Sequence, residues 1–180
     1  MKSITGTDFS VWTTFASPDV GRLVWSAMFE HLDDLQTAGQ KLGESNEWND
    51  WIENSDSLYD GPSEDSLIQV VHGAPDPDRT VNFVAVTTAL CANGKVAAGM
   101  AAGVEIAETA TKITGIPVSF GARETGPFGG VVWFAGAESM RETEEATAAL
   151  ATDPSWVQLV DSHGATFQTG AESARYQRLG

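Results

Sequence analysis

The sequence predicts an α+β protein assembled from three successive βαβ units, and three observations carry that expectation. The first is an internal repeat. Residues 48–72 and 156–180 align at a constant offset of 108 without a gap, placing Trp48 over Trp156, Ile52 over Val160, Glu64 over Glu172, Gln69 over Gln177 and Val71 over Leu179. Each copy reads as a short helix, a glycine-containing turn and a closing strand, and self-similarity of this length marks a fold made of like supersecondary units. The match extends upstream, where Val11-Trp12 is similar to Val132-Trp133. The second observation is the alternation of β-branched, aromatic runs with stretches of helical period. The third is punctuation by Gly and Pro between them.

Taken in order, residues 9–16 are rich in Val, Trp, Thr and Phe and read as a strand. Ser17-Pro18-Asp19 then supplies a cap, a first-turn proline and an acid for the helix dipole. Val20, Leu23, Val24, Ala27, Met28, His31, Leu32 and Leu35 recur at helical spacing, which predicts a long helix with a broad apolar face widened by Trp25 and Phe29. Gly43 ends it, and Ser45 caps the next helix, which holds Trp48, Trp51 and Ile52. Residues 57–66 read as loop and 67–72 as a strand. Two prolines and two aspartates make residues 73–78 the best linker in the chain.

Residues 81–90 form the clearest strand, and Ala92-Asn93-Gly94 turns it into a helix over 95–114 with Val96, Met100, Val104 and Ala107 along one stripe. The alanines and two glycines of that helix predict close packing. Gly115 is placed to end it and Pro117 prevents its continuation. A strand over 118–123, a tight Gly126-Pro127-Phe128-Gly129-Gly130 connection and a strand over 131–135 follow. Ser139-Met140-Arg141-Glu142 has the form of a capping box, and Asp153-Pro154 starts a further helical turn with Trp156, Leu159 and Val160. The chain closes on a strand over 173–179. The order makes 76–180 a complete ferredoxin-like βαββαβ domain with an antiparallel sheet, and 1–75 a βαβ half-domain with an elongated helical region.

Composition excludes several function classes. A formal net charge of −15 and ten scattered basic residues argue against nucleic acid or an anionic membrane as partner, since both require Lys and Arg facing phosphates. Cys91 is alone in the sequence, so no intrachain disulfide and no thiolate metal cluster can form. It follows Leu90 in an apolar run and reads as a buried structural thiol. No apolar run is long enough to span a bilayer, and residues 1–6 lack the apolar segment of a secretory signal, so a cytoplasmic location is the expectation.

The stretch from residue 81 to 179 resembles the dimeric α/β-barrel superfamily, which includes antibiotic-biosynthesis-type monooxygenases and NIPSNAP-like proteins. The resemblance rests on Val81-Asn82-Phe83-Val84-Ala85-Val86, Asn93-Gly94-Lys95-Val96, Thr114-Gly115-Ile116-Pro117-Val118, Gly126-Pro127-Phe128-Gly129, Val131-Val132-Trp133-Phe134 and Asp153-Pro154-Ser155-Trp156. It implies two ferredoxin-like sheets curled together, in a homodimer or within one chain, with a pocket between sheet and helices. Members include cofactor-independent oxygenases, haem-binding enzymes, cyclases, isomerases and many proteins without known activity.

Three readings follow. The first is a protein that binds or transforms a small apolar or aromatic molecule without a cofactor, the substrate forming its own carbanion and reacting with oxygen. His31, on the apolar stripe of the first long helix, and His163, on a helix-to-strand turn, are its candidate proton acceptors, because imidazole titrates near neutral pH. His163 stands out because Ser55 occupies the matching position of the other repeat copy. Trp12 and Trp133 would line a pocket for a flat ligand, and Arg123 would stand at its mouth. The bland alternatives are core aromatics, a surface Arg123-Glu124 pair and histidines with ordinary structural hydrogen bonds. The second reading is a non-catalytic assembly protein, and the third a haem-binding member with one axial histidine. No pair of histidines has zinc-ligand spacing, and the 126–130 segment lacks the Lys and Ser/Thr of a phosphate-binding loop.

Overall fold

The computed structural model describes every residue except 16–19, 56, 58–62 and 77. In chain order its elements are α1 (Lys2–Thr5), β1 (Ser10–Thr14), β2 (Leu23–Ser26), α2 (Leu32–Gly43), α3 (Asn46–Ser55), β3 (Ile68–His72), β4 (Phe83–Leu90), α4 (Val96–Thr114), β5 (Val118–Arg123), β6 (Gly130–Ala137), α5 (Met140–Thr152), α6 (Pro154–Ser162) and β7 (Glu172–Leu179). They fall into two compact units. The smaller comprises Met1–Trp12, Leu23–Glu64 and Leu179–Gly180, and the larger Thr13–Arg22 and Asp65–Arg178.

In the larger unit five strands hydrogen-bond in the order β7-β4-β6-β5-β3, every neighbouring pair antiparallel. The first and third strands of the β4-α4-β5-β6-α5-α6-β7 run are therefore central, which is the ferredoxin-like arrangement. β3 extends it beyond β5, with Ile68 opposite Arg123 and Val70 opposite Gly121. The capping chemistry read from the sequence holds. Ser139 Oγ accepts the Glu142 N–H at 3.2 Å, while Glu142 Oε2 takes the Glu138 N–H at 2.7 Å. Gly115 closes α4 in the left-handed region, with φ of 73°. The linker before β4 is tied down rather than loose, because Arg79 forms a half-buried ion pair with Glu142.

The repeat is a structural fact. α6 and α3 coincide under the same offset of 108, and so do their caps. Ser45 Oγ accepts the Trp48 N–H at 3.3 Å, and Asp153 Oδ1 accepts the Trp156 N–H at 3.3 Å.

One element differs from expectation. The helix predicted from residue 20 to its end at Gly43 is split: Leu23–Ser26 is strand β2, and the helix begins only at Leu32 and runs to Gly43 as expected. The cause is the turn at Gly21, whose φ is 89°. Its N–H and that of Arg22 reach back to Thr14 O and Thr14 Oγ1, and Thr14 N–H in turn donates to Arg22 O. This hairpin closure commits the following residues to extended backbone, and Asp33 and Asp34 then favour a helix start at Leu32. The first unit is thus not a simple βαβ. The predicted Ser17-Pro18-Asp19 cap, and most of the loop at 57–66, lie outside the described residues.

Within the smaller unit α1 lies against α2, where Lys41 Nζ donates to Thr5 O at 3.3 Å. Trp48 stacks on Trp51 with ring centres 5.1 Å apart. Of its large apolar side chains, Met28, Leu32, Trp51 and Ile52 are each between 46% and 63% exposed.

Candidate functional site

Strand alternation gives the five-stranded sheet two chemically different faces. On one, Val118 and Phe120 of β5 and Val131 and Trp133 of β6 pack against α4 together with Cys91, Ala107 and Ala110. The helix reaches this close because it carries Gly99 and Gly103. A Cβ at Gly103 would collide with the Phe120 ring, and one at Gly99 with the Cys91 sulfur. Trp133 is 8% exposed and lies between Phe120 and Phe167, with ring centres 5.2 and 5.6 Å away. Its indole N–H donates to Gly103 O at 2.9 Å. Both its ring and its polar atom are engaged within the core. Burial pushes the Cys91 thiol above its ordinary pKa, a backbone hydrogen bond only partly opposing this, so the thiol stays protonated.

The opposite, distal face is turned away from α4, α5 and α6. By the strand registers it carries Val84, Val86 and Thr88 of β4, Val132 and Phe134 of β6, Glu172, Ala174 and Tyr176 of β7, and Ser119 and Arg123 of β5. Val132, though only 1% exposed, stands outside the helix-side core cluster. Val84, Val86, Thr88, Phe134, Tyr176 and Arg123 are half-buried. Here the glycines lie on the strands instead. Gly121 sits beneath Ile68, and Gly130 beneath the stem of Arg123, where a Cβ would come within 3.1 Å of Cδ. Arg123 Nε is shielded from solvent and has no hydrogen-bond partner among the described residues.

The remaining predicted residues lie elsewhere. His163 caps the C-terminus of α6, and its Nε2 lies 2.9 Å from Glu105 Oε2 on α4, a half-buried imidazole against a largely exposed carboxylate. This pair bridges two helices on the helical side of the sheet, so the structure does not bring His163 together with Arg123. Trp133 and Arg123 likewise face opposite sides. His31 is exposed at the N-cap of α2 and makes no side-chain cap bond. Trp12 Nε1 donates to Ser26 Oγ at 2.9 Å. Both belong to the smaller unit.

Two surface depressions border α6. One lies over Pro154, Val157, Gln158, Asp161 and Ser162; the other, about 490 Å³, lies between α4 and α6 at Thr109, Lys112, Ile113, Asp153, Ser155 and Leu159. Neither is lined by a histidine. Of the three histidines, His31 is exposed on a helix start, His163 Nε2 lies against Glu105, and His72 is half-buried at the end of β3. No group of three or more His, Cys, Asp or Glu converges on a point among the described residues. No helix of the described residues is long and apolar enough to cross a membrane.

Sequence reasoning missed Thr88, Phe134 and Tyr176. Alternation along β4, β6 and β7 separates the two faces of each strand, but only the inter-strand register aligns them into one surface.

No protein-family model and no curated protein matches the sequence. Solved structures do match. A protein described as "Putative monooxygenase" from Fusobacterium nucleatum subsp. nucleatum ATCC 25586 aligns with a TM-score of 0.69 at 11% identity, over 96% of this chain and 75% of its own. An anthrone oxidase-like protein aligns at 0.61 and 13% identity, over 99% and 81%. A protein from Lactobacillus acidophilus NCFM, described in the same words as the first, aligns at 0.60 and 9% identity, over 99% and 80%. At such identities the likeness is one of fold, and the strand order of the larger unit makes that fold ferredoxin-like.

Proposed function

We propose that this chain, with its dimeric α/β-barrel fold, binds a small apolar or aromatic organic molecule against the distal face of its five-stranded sheet and oxygenates it without a cofactor. The observation that carries the reading is the composition of that face. Val84, Val86 and Phe134 offer apolar contact, and Thr88, Glu172, Tyr176 and Arg123 border it with polar groups. A mostly apolar surface with few polar groups is the usual make-up of a small-molecule site. The fold neighbours described as oxygenases or oxidases support the choice of chemistry.

In the oxygenation step the bound carbon acid loses a proton, and its carbanion passes one electron to dioxygen. The radical pair recombines to a hydroperoxide, which loses water to leave a carbonyl. For anthrone the balance is anthrone plus O₂ giving anthraquinone plus water. His31 and His163 remain the candidate proton acceptors, but His163 lies on the helical side of the sheet with its Nε2 against Glu105 and does not reach a molecule on the distal face. Oxygen uptake with anthrone tests the step: a rate rising in proportion to protein above the spontaneous reaction is expected, and no acceleration would remove the oxygenase reading. Uptake unchanged in a His31→Ala, His163→Ala double variant would remove both imidazoles from it.

The second reading, an association module without catalysis, is favoured by the exposed Met28, Leu32, Trp51 and Ile52. Either reading takes the chain as a homodimer. Light scattering that reports a monomer at micromolar concentration would contradict that.

A further inference from the structure

Two helices of the smaller unit carry apolar rows that remain open. Among the described residues α2 buries only Ala38, and α3 only Ser55. Leu32 and Leu35 lie three residues apart on α2, and Trp48, Trp51 and Ile52 fall on one side of α3. Leu32, Leu35, Trp51 and Ile52 are exposed, and the two helices touch each other. Charge distinguishes this pair as much as apolar exposure does. Residues 30–55 hold seven acidic side chains against one basic, Lys41, whose Nζ is drawn to Thr5 O beside α1. By helical period Asp34 borders the α2 row and Glu47 the α3 row, with Asp33, Asp50 and Glu53 behind them. No ion pair engages these five carboxylates among the described residues. Glu53 stands in the last turn of α3, which has no basic residue, so its charge opposes the helix dipole.

We propose that α2 and α3 dock a basic amphipathic helix of another protein, its apolar side on Leu32, Leu35, Trp51 and Ile52 and its lysines and arginines toward Asp34 and Glu47. The inference is independent of the distal-face ligand, and it gives a partner to the association reading. Two adjoining amphipathic helices present rows of side chains between which the ridge of a third can pack. The partner's cations supply the counter-charge missing from this stretch, and the acidic field draws them in from a distance. The same field repels an identical face on a second copy and an anionic lipid surface, so a homodimer uses another part of the chain.

Fluorescence anisotropy of the full chain with two labelled peptides tests the assignment. Both are built from leucine and lysine in equal composition; one places its leucines at helical spacing, and the other scatters them. The native chain is expected to bind the patterned peptide at least about tenfold more tightly. Leu32→Ser with Ile52→Ser, both at exposed positions, should erase the preference. Asp34→Asn with Glu47→Gln should keep the preference, weaken the binding of both peptides and flatten its dependence on salt. Equal binding of the two peptides by the native chain means that net charge alone attracts them, and overturns the docking site. So does binding of neither, or a preference that survives the serine variant. A native dimer that the serine variant turns into a monomer in light scattering would place a second copy on this face and overturn the basic partner. None of these outcomes touches the distal-face reading, which oxygen uptake decides.

Discussion

The two faces of the five-stranded sheet are built from the same strands and solve opposite problems. On the helical face the glycines are on the helix: Gly99 and Gly103 let α4 descend until Phe120, Trp133 and Cys91 touch it, and the Trp133 N–H is bonded. On the distal face the glycines are on the strands, and Gly130 leaves room for a cation whose Nε–H has no partner among the described residues. A satisfied aromatic core marks a face that holds the fold. The distal face instead leaves Val84, Val86 and Phe134 half-buried, with no helix of the larger unit packed over them.

The comparison is broken most severely at Trp133. Trp133→Ala is expected to lose about 3–5 kcal/mol of stability in denaturant unfolding, the usual range for emptying a buried aromatic site. Were the loss below about 1 kcal/mol, the helical face would not be the core described. Gly103→Ala comes next, at about 1–3 kcal/mol, because the added methyl meets the Phe120 ring in a packed layer. The distal face should respond the other way. Phe134→Ala, at a half-buried position, is expected to cost less than about 2 kcal/mol yet to weaken binding of the neutral aromatic probe 2-naphthamide by at least about tenfold. A variant as destabilised as Trp133→Ala, with binding intact, would merge the two faces.

The smallest effect concerns the cap of α6. Hydrogen bonds from the Ser155 side chain, and then its N–H, hold the Asp153 carboxyl below its ordinary pKa. A depressed carboxylate stabilises the folded state above its unfolded pKa, and that contribution fades as pH falls through the folded value. Thermal melts of Asp153→Ala against the native chain should therefore differ at neutral pH and converge in strongly acidic solution. A difference independent of pH would mean that the cap acts without its charge.

Much of this fold is legible in the residues, and the parts that are not have physical reasons. Ser45, Ser139, Asp153 and Gly115 announce helix ends by chemistry local to a few positions. The segment after Gly21 is different. Val20, Leu23, Val24 and Ala27 fit a helical stripe, but Leu23 and Trp25 also alternate as a strand does, and the bonds from Gly21 and Arg22 to Thr14 decide between them. Alternation likewise separates Trp133 from Phe134. Which of the two meets a helix is fixed by Gly103, thirty residues away in sequence. The orphaned Nε of Arg123 is less legible still, since it depends on Gly130 and Ile68 arriving as neighbours from two other strands.

The central claim is that the ligand occupies the distal face, and the most direct measurement is two-dimensional NMR of the labelled chain titrated with 2-naphthamide. Shifts concentrated at Val84, Val86, Thr88, Phe134, Tyr176 and Arg123 are predicted. Shifts confined to the helical side, at Trp133, Glu105 and His163, would contradict the account.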